Sequence, residues 1–296
     1  MTGGPRGSTV GDVDIGIGLP NTLSVDGTTL ADWARRAEAR GFSSVATLDR
    51  IVYPSYDSLT ALAVAAGATT RIGLFTDILL APVYPPVWLA KATASLHAAS
   101  GGRLTLGLAP GGRPDDYAAM DRPMDRRGRL MDETLDLLDR AWAGESVTGD
   151  EFGVVPDAAA GTAVPVLVGG TTDAAVRRTV RYGAGWTAGG GGVAAAEPMI
   201  KKVQTAWQES GREDEPRFAA LVYYGLGDDE QSRASLRRYY GFLAGWVDAI
   251  VESAVRTPQA AKETVQGFAG VGVTEVVFMP TVASLDEVDR LADAVL

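Results

Sequence analysis

Short apolar runs alternate with longer stretches of helical spacing along almost the whole chain. The first run, Val13 to Leu19, reads V-D-I-G-I-G-L and stops at Pro20-Asn21. Thr28 to Arg40 then puts Leu30, Trp33, Ala34 and Ala37 on one face with charges opposite, and Gly41 follows as a C-terminal stop. Further strands are expected over 43–48, 71–80, 103–109, 164–168, 185–188, 217–226 and 275–279. Helices are expected over 57–68, with Asp57 or Ser58 as its cap, and over 86–99, 122–142, 173–182, 197–210, 258–269 and 285–296. The helix from Arg122 to Trp142 is expected to bury Leu130, Thr134, Leu137, Leu138 and Ala141, and 228–255 reads as largely helical with breaks near Gly241 and Gly245.

About eight strands alternating with helices imply parallel strands joined by right-handed crossovers. A doubly wound open sheet would also alternate in this way. No nucleotide fingerprint follows the first strand, so the pattern favours an α/β TIM-type (β/α)8 barrel. The 296 residues suit one such domain over 12–296, with Met1 to Gly11 as a disordered polar tail and Gly144 to Gly161 as an insertion. The tail lacks the apolar core of a signal peptide, and no run is long enough for a membrane span. A net charge of −10 argues against nucleic acid or an anionic membrane as partner. The absence of cysteine excludes disulfides and thiolate chemistry and fits the cytoplasm, and a single histidine, His97, excludes a multi-histidine metal site. No metal site is expected, and His97, late in a helix outside the barrel, reads as structural.

Five segments together resemble the bacterial luciferase-like family of flavin and deazaflavin oxidoreductases. They are I-G-I-G-L-P-N near the start, E-A-R-G-F-S-S-V-A-T-L-D-R after the first helix, G-L-F-T-D-I-L-L-A-P on the third strand, S-G-G-R-L-T-L-G-L-A-P-G-G on the fourth and P-V-L-V-G-G-T-T on the fifth. The resemblance spans nearly the whole chain. It implies a barrel with reduced FMN or coenzyme F420 across the C-terminal strand ends, a small organic substrate, a separate reductase supplying the reduced cofactor, and a homodimer.

The glycines and hydroxyls of Gly169, Gly170, Thr171 and Thr172 fall between a strand and a helix, where backbone N–H groups and the helix dipole favour a phosphate. The resemblance supports that role, with Val168 beside it, over a simple turn. The glycine run from Gly189 to Gly192 is a second phosphate-loop candidate or a linker. On the third strand the resemblance implies a cis peptide at Asp77–Ile78 beneath the cofactor ring, flanked by Thr76. Asp77 stands where small residues are commoner, so it either relays a proton or is held by backbone hydrogen bonds. Ala109, Pro110 and Gly111 should line the cofactor edge. Luciferase has an arginine where Pro110 stands, and a deazaflavin branch has an acid where Gly112 stands. Arg113 or Asp116 would substitute, or both are exposed loop charges.

Asp49-Arg50 follows the second strand where relatives carry an acid and a histidine. Arg50 stays protonated and cannot act as a base. It either binds an anion or developing oxyanion or forms an ion pair at the rim. Tyr53, Tyr56 and Asp57 stand on the expected substrate approach, where the Tyr56 hydroxyl is either a proton donor or part of the packing. Of Tyr223 and Tyr224 only one can face inward, and Tyr239, Tyr240, Phe242 and Trp246 form an aromatic patch that is core by default, with a pocket lid and a dimer contact as its other readings. The expected activity is a reduced-FMN monooxygenase using O2. The alternatives are hydride transfer with F420, favoured by the short chain and absent arginine, and a barrel that binds flavin without catalysis.

Overall fold

Alternating apolar strands and amphipathic helices close into a barrel in this computed structural model, which describes residues 13–147, 149, 153–159, 161–243 and 245–296. The expected tail, Met1 to Gly11, and part of the expected insertion lie outside the described residues. The strands are β1 (Asp14–Gly18), β2 (Ser44–Thr47), β3 (Gly73–Leu80), β4 (Leu104–Ala109), β5 (Val166–Gly169), β6 (Gly185–Ala188), β7 (Arg217–Tyr224) and β8 (Glu275–Pro280). All pair parallel in sequence order, and β1 closes on β8 with Asp14 opposite Glu275. The helices are α1 (Gly27–Arg40), α2 (Ser58–Ala68), α3 (Pro86–Ala99), α4 (Pro114–Ala119), α5 (Arg127–Trp142), α6 (Asp173–Tyr182), α7 (Gly192–Glu209), α8 (Asp229–Tyr240), α9 (Val247–Ser253), α10 (Pro258–Ala269) and α11 (Asp286–Val295). None among the described residues is long and apolar enough to cross a membrane.

The period-2 alternation of the strands divides the core into two layers. Ala46, Phe75, Leu167, Ala219, Leu221 and Val277 fill the barrel interior. Ile17, Trp33, Leu62, Leu106, Val203 and Phe268 pack between strands and helices. Glu275 also points inward at the N-terminal end, where Ser43 and Ser44 donate to it at 2.8 and 2.6 Å. Arg103, from the S-G-G-R-L segment, ties β4 to α2 and β3 by donating to Ala66 O at 2.9 Å and Ile72 O at 3.0 Å. Asp57 caps α2, accepting from Thr60 N at 2.7 Å, while Ser58 pairs with Thr47 instead. His97 is buried, with Nδ1 3.1 Å from Leu104 O, which fixes α3 against β4.

Two expectations need correction, and one helix was not expected. The helix expected from Arg122 starts at Arg127, because Pro123 breaks it and residues 124–126 make a single 3-10 turn. Its buried face runs through Met131 and Leu135, while Leu130 and Leu137 are only half-buried. The helix expected from Glu197 begins at Gly192, where the alanine-rich V-A-A-A-E stretch outweighs the glycine run before it. The unexpected helix is α4, whose signals were present as Pro114 at its first position and Asp115 and Asp116 in its first turn.

Candidate active site at the C-terminal mouth of the barrel

Parallel strands bring all their following loops to one rim, and a cavity of about 460 Å³ opens there. Its floor is formed by inward-facing residues at the strand ends, including Leu48, Asp77, Gly169, Thr187, Leu221 and Tyr223. One wall comes from Ile78, Leu80, Ala109, Gly111 and Gly112. A second comes from Gly170, Thr171 and Trp186, then Gly189 and Gly190 ahead of α7. The third is aromatic, with Tyr239 and Tyr240 at the end of α8 followed by Phe242. Arg113 holds that wall. It donates to Tyr239 O at 3.1 Å and lies 3.7 Å from the centre of the Phe242 ring.

The floor is shaped at β3. The Asp77–Ile78 peptide is cis, and the β3–β4 register shifts between Thr76 and Leu79. Gly107 on β4 allows this approach, since a Cβ there would lie 2.2 Å from Thr76 O. Asp77 faces the barrel interior, as Phe75 two residues earlier does, with Oδ1 accepting from the Thr187 hydroxyl at 2.8 Å and Oδ2 buried without a partner. Burial, and secondarily the charge of Glu275 further down the barrel, raise its carboxyl to about 7 against the lowering effect of Thr187. Near neutral pH it can therefore give or take one proton.

Arg50 is in the cavity wall but strongly engaged. Its Nε donates to Asp116 Oδ2 at 2.8 Å, and Nη2 reaches Val52 O at 2.9 Å and Asp115 at 3.3 Å. Only Nη1 has no partner, and the Tyr53 and Tyr239 ring centres lie 5.5 and 5.7 Å from Cζ. Asp116 is wholly buried rather than an exposed loop charge. Asp49 also lines the cavity, but Leu80 N and the Tyr84 hydroxyl donate to its two oxygens at 2.9 Å each. Burial raises its carboxyl to about 6.

Four expected site residues lie off the cavity. The Tyr56 hydroxyl donates to Val25 O at 2.9 Å, which turns it away from the mouth, so it is not placed as a proton donor. The Thr76 side chain is tied to Gly107 at 3.0 Å within the sheet. The Pro110 carbonyl accepts from the Tyr117 hydroxyl beneath the loop. Val168 packs in the outer layer between strands and helices. Of the tyrosine pair on β7, Tyr223 faces the cavity and meets the Tyr240 hydroxyl at 2.6 Å, whereas Tyr224 packs outward on Phe278. Burial raises the Tyr223, Tyr239 and Tyr240 hydroxyls above their ordinary range, so they are neutral.

The second wall has the features of an anion cradle. Gly170 adopts φ +116, a conformation that L side chains rarely reach. Its carbonyl accepts from Trp186 Nε1 at 2.8 Å. Thr172 caps α6 by accepting from Ala175 N, while the Thr171 side chain faces the cavity with no hydrogen bond to the described residues. The start of α7 approaches the same wall through Ala195 and Ala196.

A family model described as luciferase-like monooxygenase matches residues 14–276. An uncharacterized protein of Mycobacterium tuberculosis (strain ATCC 25618 / H37Rv) is 32% identical over 206 residues, covering 60% of this chain and 71% of that protein. The F420-dependent hydroxymycolic acid dehydrogenase of the same organism is 29% identical over 234 residues, covering 73% of this chain and 63% of its own. In shape, the chain is similar to the monooxygenase RslO1 from Streptomyces bottropensis, with a TM-score of 0.74 at 22% identity, covering 95% of this chain and 96% of that one.

Proposed function

The chain belongs to the luciferase-like monooxygenase family, and we propose that it binds reduced FMN across the C-terminal mouth of the barrel and oxygenates a small organic substrate. The observation that carries this reading is Asp77, a buried carboxyl with one unpartnered oxygen, on the cavity floor beside the cis peptide. The residues present fit a flavin-type group. Gly169, Gly170 and Thr171 at the start of α6 would hold its phosphate, and Ala109, Gly111 and Ile78 would border its ring. FMN would supply the electrons and the reactivity towards O2, which no side chain of this protein provides. Asp77 would hold or release a proton at Oδ2. Tyr239, Tyr240 and Phe242 would exclude water from that side, which strengthens electrostatic interactions within the cavity. Arg50, its charge compensated by Asp116 and Asp115, would offer its unpartnered Nη1 as a hydrogen-bond donor to the substrate, and Asp49 would position the ends of β2 and β3.

The likeness to an F420-dependent dehydrogenase, together with the lack of a cation at Pro110, supports a second reading as F420-dependent hydride transfer. In either case a separate reductase would deliver the reduced cofactor. The family resemblance supports a homodimer, which light scattering tests. Anaerobic binding of reduced FMN and reduced F420, followed by oxygen uptake with candidate substrates, separates the readings. Substrate-dependent oxygen uptake with FMN supports the first, and turnover with F420 without oxygen supports the second. Binding of neither overturns both, and binding without turnover leaves a non-catalytic flavin-binding barrel.

A further inference from the structure

A second hollow of about 150 Å³ opens on the same rim. Four separate parts of the chain build it: Thr22 and Ser24 after β1, Tyr53 after β2, Gln231, Ser235 and Arg238 on α8, and Ala283 after β8. Residues three and four apart share one face of a helix, so α8 presents its amide, hydroxyl and guanidinium together. Arg238 Cζ lies 5.9 Å from the centre of the Tyr53 ring. That ring meets Tyr239 edge-on at 5.1 Å, and Tyr239 lines the main cavity.

Arg238 differs from the other arginines of α8. Arg233 pairs with Asp229 and Glu252, and Arg237 pairs with Asp248. Among the described residues Arg238 has no ion pair and no hydrogen bond, nor do the side chains of Thr22, Ser24, Tyr53, Gln231 and Ser235. No carboxylate lines the hollow. In a protein of net charge −10, an uncompensated guanidinium facing four hydroxyls and an amide is therefore a local exception. Guanidinium N–H groups match the two oxygens of a carboxylate or phosphate, and neighbouring hydroxyls add further donors.

We infer that this hollow is a binding site for an oxyanion, a carboxylate or phosphate group, with Arg238 as its cation. The inference does not depend on which cofactor occupies the main cavity. It is tested by NMR on ligand-free protein carrying 15N-labelled arginine, titrated separately with inorganic phosphate and with acetate at constant ionic strength. The expected result is a saturable shift of the Arg238 Nε signal with at least one of the two. The midpoint should weaken at least fivefold in a Ser24→Ala/Ser235→Ala variant whose melting temperature matches the parent. The tighter of the two probes identifies the group as phosphate or carboxylate. A shift that never saturates with either probe, or a variant that titrates like the parent, overturns the inference. Ser24 and Ser235 line this hollow and not the main cavity, so the change of midpoint in their double variant reports this hollow, and failure of the cofactor reading is seen separately.

Discussion

Arg50 Nε donates to Asp116 Oδ2 at 2.8 Å with the two side chains only 3% and 0% exposed. The other Asp116 oxygen accepts from Ile51 N at 3.0 Å and Val52 N at 2.7 Å. One carboxylate from α4 thus fixes both a guanidinium and the backbone that follows β2. Removing one partner of a buried pair leaves the other charge uncompensated, whereas replacing both with apolar groups does not. Asp116→Ala should therefore destabilise the protein by about 3–5 kcal/mol. Denaturant unfolding should show the Arg50→Met/Asp116→Leu double variant losing clearly less than the two single changes added together. Additive losses would mean that the pair does not act as a unit.

Asp77 makes stability depend on pH in a defined direction. Its carboxyl lies near 3.8 when unfolded and at about 7 in the fold, so the native state binds the proton more tightly. Its favourable contribution is complete below pH 3.8 and is lost as pH rises through 7. Asp77→Asn keeps an acceptor for Thr187 and removes the charge. The stability of the variant relative to the parent should climb between pH 4 and 7 and level off above, by on the order of 4 kcal/mol. A flat difference across that range would show that Asp77 is not held neutral. If Asp77 moves a proton in the reaction, the same variant also loses turnover at every pH.

The barrel was legible because its signals are local. The boundaries of α3, α6, α10 and β6 follow from prolines, caps and apolar runs within each segment. The placement of Gly169, Gly170, Thr171 and Ala109 on one cavity follows from the same logic, since loops after parallel strands share a rim. The Arg50–Asp116 pair was not legible, because it joins residues 66 apart through a short helix. The third wall was legible only as one of several readings. Tyr239, Tyr240 and Phe242 read as an aromatic helical patch, core by default or a pocket lid, and the return of α8 over the barrel mouth decides for the cavity. Asp49 was placed in the site by its neighbours along the chain, but Leu80 and Tyr84, which occupy its oxygens, lie on other elements.

Tyr56 tests that distinction between sequence neighbourhood and site. Its hydroxyl is engaged with Val25 O and lies off the cavity. Tyr56→Phe should cost about 1 kcal/mol of stability, the net value of a typical hydrogen bond. Cofactor affinity and turnover should remain those of the parent in equilibrium titration and steady-state assays. A tenfold loss of turnover with the fold intact would return Tyr56 to the site.

Gly170 is the sharpest test of the cofactor cradle. At φ +116 its backbone is open to glycine and strained for any residue with a side chain, and a Cβ would sit 3.4 Å from that of Ala175. Gly170→Val should therefore shift the turn between β5 and α6 rather than fill free space, displacing Gly170 and Thr171 where they line the cavity. The barrel core lies beneath this turn, so the loss of stability should stay within about 1–3 kcal/mol. Affinity for whichever cofactor the parent binds should fall at least tenfold by fluorescence titration. The matching change Gly67→Ala on α2, off the cavity and with nothing within 4 Å of a Cβ, should leave that affinity within twofold. Parent-like affinity in Gly170→Val would remove the β5–α6 turn from the cofactor site.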